Sequence, residues 1–257
     1  MVSMNFSIDL ISLLVKKEFK IRYKRSMFGI LWSLANPILT ALILWIVFIT
    51  VFREQLSSAT NFSVYVLSGV LIVNYFVQGV NSASDVILAE AKLLTKVKIP
   101  AQTLVIANCT AHSIHFIVSL IPLAILSFVL ANGLSPLSLL VPLVILFMQI
   151  MLMGVVLFLS VIHVRFADAK NITSILMNFL IYSTPVFYPM NALNEASQRF
   201  IYLNPITSLM EQFRYIFLDI GEFDYLAVLY FCSLGTFLFF TGVIYFKASY
   251  KKIVPLL

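Results

Sequence analysis

Five long stretches without a charged side chain constrain the fold of this chain more than any other feature of its sequence. A helix that crosses the apolar core of a bilayer needs about 20 consecutive apolar residues. The chain is 61% hydrophobic and 11% charged, which is more apolar than a soluble core of this length can bury. We therefore predict an integral membrane protein. The charge-free stretches cover residues 26–52, 55–84, 99–164, 171–194 and 225–246.

The lengths of these stretches predict six membrane-spanning helices. The third stretch is long enough for two spans, and Gly133 and Pro136 favour a turn between them. A β-barrel is disfavoured because barrel strands alternate polar and apolar residues, whereas residues 37–48 are apolar on every face. We predict an all-α polytopic membrane protein with a single transmembrane domain, residues 1–257. Its spans are predicted at about residues 34–52, 62–83, 103–131, 137–163, 172–187 and 225–246.

The distribution of lysine and arginine predicts the orientation of these spans. With both termini in the cytoplasm, fourteen of the 17 basic residues fall on the cytoplasmic side, and only Arg53, Arg199 and Arg214 fall outside. This asymmetry predicts a multi-pass protein of the cell (inner) membrane with cytoplasmic N- and C-termini. The net charge of +6 is then accounted for without a nucleic-acid partner.

The basic stretch before the first predicted span, about residues 7–28, predicts an amphipathic helix in the cytoplasmic membrane interface. Asp9 is a suitable N-cap, and apolar and basic side chains fall on separate helical stripes. A topology signal with incidental amphipathicity is the alternative. The two stripes contain Leu10, Leu14, Ile21 and Phe28, and Lys16, Lys20 and Lys24.

The stretch at about residues 85–98 is charged and helix-forming, although it lies between two long apolar runs. Pro100 ends it, because proline lacks a backbone donor and restricts the residue before it. A short cytoplasmic helix between two spans is well placed to receive force from a soluble partner. A solvated connector whose lysines only set the topology is the alternative interpretation.

The region between the fifth and sixth spans predicts short helices in the outer leaflet. It is too long for a simple loop and too apolar to be freely solvated, and the fifth span is only long enough for a thin crossing. Asn204 and Pro205 are expected to start a helix, and Glu211 and Arg214 are spaced to form an ion pair. We expect outer gate helices at about residues 190–218; a membrane-surface cap without a gating role is the alternative.

Several kinds of chemistry lack support in the sequence. The chain has no Gly-x-x-x-x-Gly-Lys-Ser/Thr run, so no P-loop ATP site is expected. Cys109, His112 and His115 share a helical face, but a metal site there would have no supporting carboxylate. A membrane enzyme would need clustered carboxylates or a His–carboxylate site, and the carboxylate pair Asp85 and Glu90 has no histidine nearby in the sequence.

Four segments resemble the permease subunits of ABC exporters for O-antigen, teichoic acid and capsule polysaccharides, which are type II ABC transporter permeases. They carry the family's Arg-Tyr…Ser…Gly…Trp…Asn-Pro pattern, its Arg-Phe-Arg-Asp turn with Ala167 in place of the second arginine, and its Ser-Pro-Val-Ile-Tyr-Pro and Asn-Pro…Phe-Arg segments. The sequence Ile99-Pro100-Ala101 departs from the family, which often has an aromatic-Pro-Arg there. The matching segments are residues 22–37, 164–168, 183–189 and 203–214.

This resemblance implies a homodimeric permease that exports an undecaprenyl-pyrophosphate-linked polysaccharide together with two ATPase subunits. ATP and Mg²⁺ would be bound by the ATPase partner, and membrane lipid would surround the spans. No cofactor, metal or catalytic residue is expected in this chain. Two alternatives stay open: a permease for drugs or another lipid of the same superfamily, and a membrane-embedded enzyme acting on lipid-linked sugars.

The predicted functional residues form four groups. The helix at about residues 85–98 would be the coupling helix that docks into the ATPase, and its group is Glu90, Lys92, Lys96, Lys98 and Pro100. A lipid pyrophosphate at the cytoplasmic mouth would be attracted by Arg22, Lys24 and Arg25, unless they act only in topology. Aromatic faces that contact sugar rings in a channel would be Trp32, Tyr65, Tyr75, Tyr182 and Tyr188. The outer gate group is Asn204, Pro205, Glu211 and Arg214.

Overall fold

A computed structural model describes the chain over residues 4–22, 24, 32, 35, 38–40, 42–43, 46, 59–97, 99–130 and 133–253. These ranges contain helices and connecting loops and no strand. The α-helices are α1 Met4–Arg22, α2 Ala59–Ser84, α3 Val86–Ala89, α4 Ala91–Lys96, α5 Ala101–Leu130, α6 Val141–Arg165, α7 Ala169–Tyr182, α8 Glu195–Ile201, α9 Pro205–Leu218 and α10 Tyr225–Ile253. Two short 3₁₀ helices cover Pro136–Leu140 and Met190–Ala192.

Four helices among the described residues are long and apolar enough to cross a membrane. The apolar segments are Phe62–Ser84, Ala101–Val129, Pro136–Arg165 and Tyr225–Ser249, which correspond to the predicted second, third, fourth and sixth spans. The third segment includes the 3₁₀ helix Pro136–Leu140 that precedes α6. The predicted fifth span, about residues 172–187, corresponds to the 14-residue α7, which is too short to belong to this group. Most of the predicted first span lies outside the described residues. The count of six spans therefore stays a prediction.

Helix α2 is the centre of the bundle, and α10 lies at its margin. Buried residues make up 78% of the apolar part of α2 but only 22% of that of α10. Helix α2 packs against α5, α6, α7 and α9, whereas α10 packs most extensively against α6. The outward face of α10 is apolar, as expected for a surface that contacts lipid.

Local sequence explains where several helices begin and end. Gly133 has φ +92°, a left-handed backbone conformation that glycine adopts easily, so the chain can turn after α5 as predicted. Ser135 then caps the 3₁₀ helix by accepting a hydrogen bond from the backbone N–H of Leu137. Asn204 caps α9 in the same way through the N–H of Ile206, which places the start of this helix at Pro205, as the sequence predicts.

The predicted coupling helix, about residues 85–98, is two helices rather than one. Helix α3 ends and α4 begins at Glu90, whose backbone angles of −104° and 19° leave the α-helical region. Glutamate has a high helix propensity, so local sequence favours a continuous helix through Glu90. Its side chain, however, is held by a contact with Lys17 of α1, which is described below. The predicted interface helix, about residues 7–28, corresponds to α1, which ends at Arg22.

The predicted outer gate region, about residues 190–218, contains three short elements. They are the 3₁₀ helix Met190–Ala192, α8 and α9. Helix α9 is the buried one of the three: it packs against α10, α2 and the 3₁₀ helix Pro136–Leu140. Their role in gating stays a prediction.

Candidate functional site

Two groups of polar contacts lie at opposite ends of α2. One group surrounds Asp85, which directly follows the helix, and the other surrounds Tyr65 near its start. Twenty helical residues separate these two positions, so the groups lie about 30 Å apart along the helix axis. That distance matches the apolar thickness of a bilayer. The two groups are therefore placed to act on opposite sides of a membrane.

The coupling segment, defined here as residues 85–97, is joined to α1 through Glu90. The Glu90 carboxylate accepts a hydrogen bond from the Lys17 ammonium at 2.7 Å, and both side chains are partly buried. Lys92 and Lys96 instead point to the exterior of the chain. Lys98 lies outside the described residues, and Pro100 directly precedes α5. Of the predicted coupling residues, Glu90 therefore has a contact within this chain, whereas Lys92 and Lys96 present exposed charges.

Asp85 joins the end of α2 to α6 and α7. One carboxylate oxygen lies 2.7 Å from Nδ1 of His163 near the end of α6, and the other lies 2.6 Å from the Lys170 ammonium in α7. The Nε2 atom of His163 is 2.9 Å from the Thr173 hydroxyl. Asp85 therefore does have a histidine nearby in space, contrary to the sequence-based expectation, although 78 residues separate the two side chains along the chain.

This His–carboxylate pair does not form an accessible enzyme site. The His163 side chain is only 2% exposed, and both ring nitrogens have partners within the chain. A general base needs a free nitrogen within hydrogen-bond reach of a substrate proton. The arrangement instead connects three helices, and its residues His163, Lys170 and Thr173 carry no local sequence signal that would have identified them.

Charge pairing sets the ionisation of Asp85. Partial burial by itself raises the pKa of the Asp85 carboxyl, but hydrogen bonds from Lys170 and His163 outweigh it and lower the pKa below its usual value. The same contact raises the pKa of the Lys170 ammonium. A carboxyl whose pKa is lowered in the folded state stabilises the fold above the unfolded-state pKa and stops doing so as the pH falls through the lowered value.

We expect Asp85→Asn to lower the free energy of unfolding at neutral pH by about 1–2 kcal/mol, because the charge-assisted bonds are lost and the site is partly solvated. The difference from the wild type should shrink as the pH falls through the lowered pKa of the Asp85 carboxyl, because the wild-type side chain then becomes protonated as well. Thermal unfolding in detergent as a function of pH measures this. Asp168→Asn, at an exposed carboxylate near α7, is the matched control. A difference independent of pH would contradict the prediction.

Of the predicted headgroup residues that the structure describes, Arg22 contacts α5. Nη2 of Arg22 is 3.5 Å from Nε2 of His112, which is buried on α5. Lys24 is exposed, and Arg25 lies outside the described residues. No group of three or more His, Cys, Asp or Glu side chains within the described ranges is arranged to hold a metal ion, and this includes the region of Cys109.

At the other end of α2, Arg214 joins α9 to the rest of the bundle. Its side chain is 0% exposed, and the predicted ion pair with Glu211 is present at 2.7 Å. The guanidinium lies over the Tyr65 ring, 3.5 Å from its centroid, and donates to the Ser68 hydroxyl. It also donates to three backbone carbonyls, those of Tyr65, Pro185 and Val186. Arginine suits this position because its planar fork carries five donors.

A cavity of about 750 Å³ opens beside this region, between the end of α7 and α8. Aromatic rings and small polar groups share its walls, a combination that suits sugar rings because aromatic faces contact them and hydroxyl and amide groups hydrogen-bond them. Asn204 also donates to the Thr184 hydroxyl at 3.0 Å, which ties the start of α9 to this wall. The lining includes Phe179, Tyr182, Ser183, Tyr188, Ser197, Phe200 and Asn204.

The predicted channel aromatics separate into two sets. Tyr65 and Tyr75 are buried: Tyr65 lies under Arg214, and the Tyr75 hydroxyl contacts Ser113 and Gln149. Tyr182 and Tyr188 line the cavity, and Trp32 is exposed. The contacts of the two buried tyrosines favour a packing role within the chain, so only the second set is retained as channel candidates.

Comparison with known proteins gives one family. The sequence profile of the family described as ABC-2 type transporter matches residues 9–218. Two proteins named O-antigen export system permease protein RfbA, from Klebsiella pneumoniae, are similar to this chain. One is 27% identical over 232 residues, covering 89% of this chain and 88% of the relative, and the other is 28% identical over 236 residues, covering 90% and 89%. A protein of the same name from Myxococcus xanthus is 31% identical over 208 residues, covering 80% and 79%.

Proposed function

This chain belongs to the ABC-2 type transporter family, and from that premise we propose that it is the permease of an ABC exporter for an O-antigen-like, lipid-linked polysaccharide. The observation that carries the substrate class is the similarity, over most of both chains, to relatives named as O-antigen export permeases. The cavity with aromatic and small polar walls at one end of α2 supports it, because its chemistry suits a sugar chain.

We further propose a homodimer that works with two ATPase subunits, which bind ATP and Mg²⁺. The distribution of lysine and arginine supports cytoplasmic termini in the cell (inner) membrane, with the coupling segment on the cytoplasmic side. Lys92 and Lys96 are exposed there and are suited to pair with acidic groups of a soluble partner. Glu90 is retained as a coupling residue, but its contact with Lys17 indicates that it positions the segment against α1.

On the other side, the substrate would leave past the cavity. Tyr182 and Tyr188 would offer ring faces, and Asn204 and Pro205 would fix the start of α9 at the outer gate. Glu211 and Arg214 would hold that helix on α2. Arg22, Lys24 and Arg25 would attract the undecaprenyl pyrophosphate at the cytoplasmic mouth.

The test is co-purification of the chain with the ATPase encoded beside it, followed by ATP hydrolysis in proteoliposomes. Lys92→Ala/Lys96→Ala is expected to weaken the complex about 3- to 10-fold, since exposed charge pairs contribute little individually. Arg199→Ala is the matched control, because this arginine is 85% exposed on the predicted outer side. If Lys92→Ala/Lys96→Ala binds the ATPase as tightly as Arg199→Ala does, the proposed docking site is wrong. If the wild type binds no ATPase at all, the proposed function is wrong.

A further inference from the structure

The coupling segment is attached to the bundle at two carboxylates. Asp85 at its start contacts α6 and α7, and Glu90 at the break between α3 and α4 contacts α1. The two attachments differ in their surroundings. The Asp85 and Glu90 side chains are similarly exposed, at 23% and 26%, but His163 beside Asp85 is buried whereas Lys17 beside Glu90 is partly exposed. A displaced segment would therefore pull on a packed side chain through Asp85 and on a solvated one through Glu90.

The attachment at Asp85 is a continuous chain of hydrogen bonds, defined here as the Asp85–His163–Thr173 link. The carboxylate accepts from Nδ1–H of His163 at 2.7 Å, which leaves Nε2 as the acceptor for the Thr173 hydroxyl at 2.9 Å in neutral histidine. If His163 is doubly protonated, Nε2–H donates and the hydroxyl accepts. Every hydrogen-bonding group of the link therefore has a partner in both protonation states. The link joins Asp85, the first residue after α2, to the last turn of α6 and the second turn of α7.

The helices joined by this link lead to the cavity at the far end of the bundle. Helix α7 begins beside the link and ends at Tyr182 on the cavity wall. Helix α2 begins near Tyr65, whose ring contacts Arg214 of α9. Because helices are stiff along their axes and packed interiors deform little, a shift imposed at the link changes the position of their far ends.

We propose that Asp85, His163 and Thr173 are positioning residues that transmit movement of the coupling segment to α6 and α7. This inference rests on the proposed function, since it assumes that an ATPase moves the segment. A variant with a broken link should still bind the ATPase and support ATP hydrolysis, but the hydrolysis should drive less transport. The expected signature is a fall in polysaccharide exported per ATP hydrolysed, which a purely stabilising contact would not produce.

The central variant is Thr173→Val, which removes the hydroxyl and keeps the shape of the side chain. Surface polysaccharide on intact cells, detected with an antibody against the cell's own polysaccharide, reports export. ATPase activity is measured on the purified complex in proteoliposomes, and stability is measured by thermal unfolding. We expect export per ATP to fall about 2- to 30-fold, the range of coupling changes from residues between two sites. Thr173→Ser, which keeps the hydroxyl, should restore it.

The matched control is Ser160→Ala, which also removes a buried hydroxyl but one that donates within its own helix, to the carbonyl of Leu157. It should leave export per ATP unchanged. The double variant Asp85→Asn/Thr173→Val should export about as much per ATP as whichever single variant exports less. The two effects should not add, because each substitution interrupts the same link.

Two results would overturn the inference. One is export per ATP by Thr173→Val equal to that of the wild type, and the other is a loss of export matched by an equal loss of assembly and thermal stability, which would make the link merely structural. If the wild-type complex itself binds an ATPase but exports no polysaccharide, the proposed function fails, and this inference fails with it. If the wild type exports polysaccharide and Thr173→Val exports the same amount per ATP, only this inference is wrong and the proposed function stands.

Discussion

Gly242→Ala is expected to lower the free energy of unfolding by roughly 3 kcal/mol or more, because an added methyl group overpacks a contact between two backbones. A Cβ atom at Gly242 on α10 would overlap the carbonyl oxygen of Gly154 on α6. A Cβ atom at Gly154 would lie 2.5 Å from the carbonyl carbon of Leu238 and the amide nitrogen of Phe239. No rotamer change relieves either overlap, so the two helices would have to separate. In a membrane this matters further, because helices there associate through close packing rather than through the hydrophobic effect.

Thermal unfolding in detergent and the yield of monodisperse protein measure this effect. Gly154→Ala should behave like Gly242→Ala. Gly235→Ala should have a smaller effect, since its new Cβ atom would lie 3.2 Å from Cβ of Met151, a mild overlap that a small shift of the helices relieves. Thr241→Ala is the control, because that exposed hydroxyl bonds only within α10. Equal stability of Gly242→Ala and Thr241→Ala would contradict the close-contact interpretation.

Arg214→Ala is expected to have an effect of similar size, about 3–5 kcal/mol of unfolding free energy, with loss of export. It leaves Glu211 without its partner and removes the donors of the backbone carbonyls of Tyr65, Pro185 and Val186. Arg214→Lys should recover only part of this stability, because an ammonium is a point donor that cannot reach carbonyls on two sides as a planar fork does.

The neighbourhood of Arg214 offers an independent test of the same contact. Gly69→Ala would place a Cβ atom 2.7 Å from a guanidinium nitrogen, so it should destabilise the protein by displacing Arg214 without removing it. Arg199→Ala is the control for loss of an arginine, because its pair with Glu195 is exposed and longer, at 3.8 Å. Thermal unfolding should give an effect of about 0–1 kcal/mol there. If Arg199→Ala and Arg214→Ala lower the free energy of unfolding by similar amounts, burial of the Arg214 guanidinium does not explain the effect of Arg214→Ala.

Much of the fold follows from local pattern. The apolar runs predicted the four long helices, Gly133 and Pro136 predicted the turn, and Asn204 and Pro205 predicted the start of α9, since each depends on residues adjacent in the chain. The spacing of Glu211 and Arg214 likewise predicted their ion pair, because residues three apart share a helical face. The break at Glu90 was missed, since it accompanies a contact with Lys17, 73 residues away.

The candidate site depends more on distant contacts. Among aromatic residues, sequence chemistry offered no way to separate Tyr182 at the cavity from Tyr75 in the interior, because both lie in apolar helices. His163 stood at the end of an apolar run with no partner nearby in the sequence. Only packing of α6 beside α2 and α7 brought it to Asp85 and Thr173.

Local sequence was enough to identify a helical membrane protein, the approximate positions of its long helices, and its family. Those properties arise from hydrophobicity, helical periodicity and short motifs, which are local. Three contacts became apparent only in the folded structure: Gly154 with Gly242, the Arg214 guanidinium over the Tyr65 ring of α2, and Asp85 with His163. Such contacts depend on the rotation and crossing of whole helices, and in uniformly apolar helices the sequence leaves that rotation unspecified.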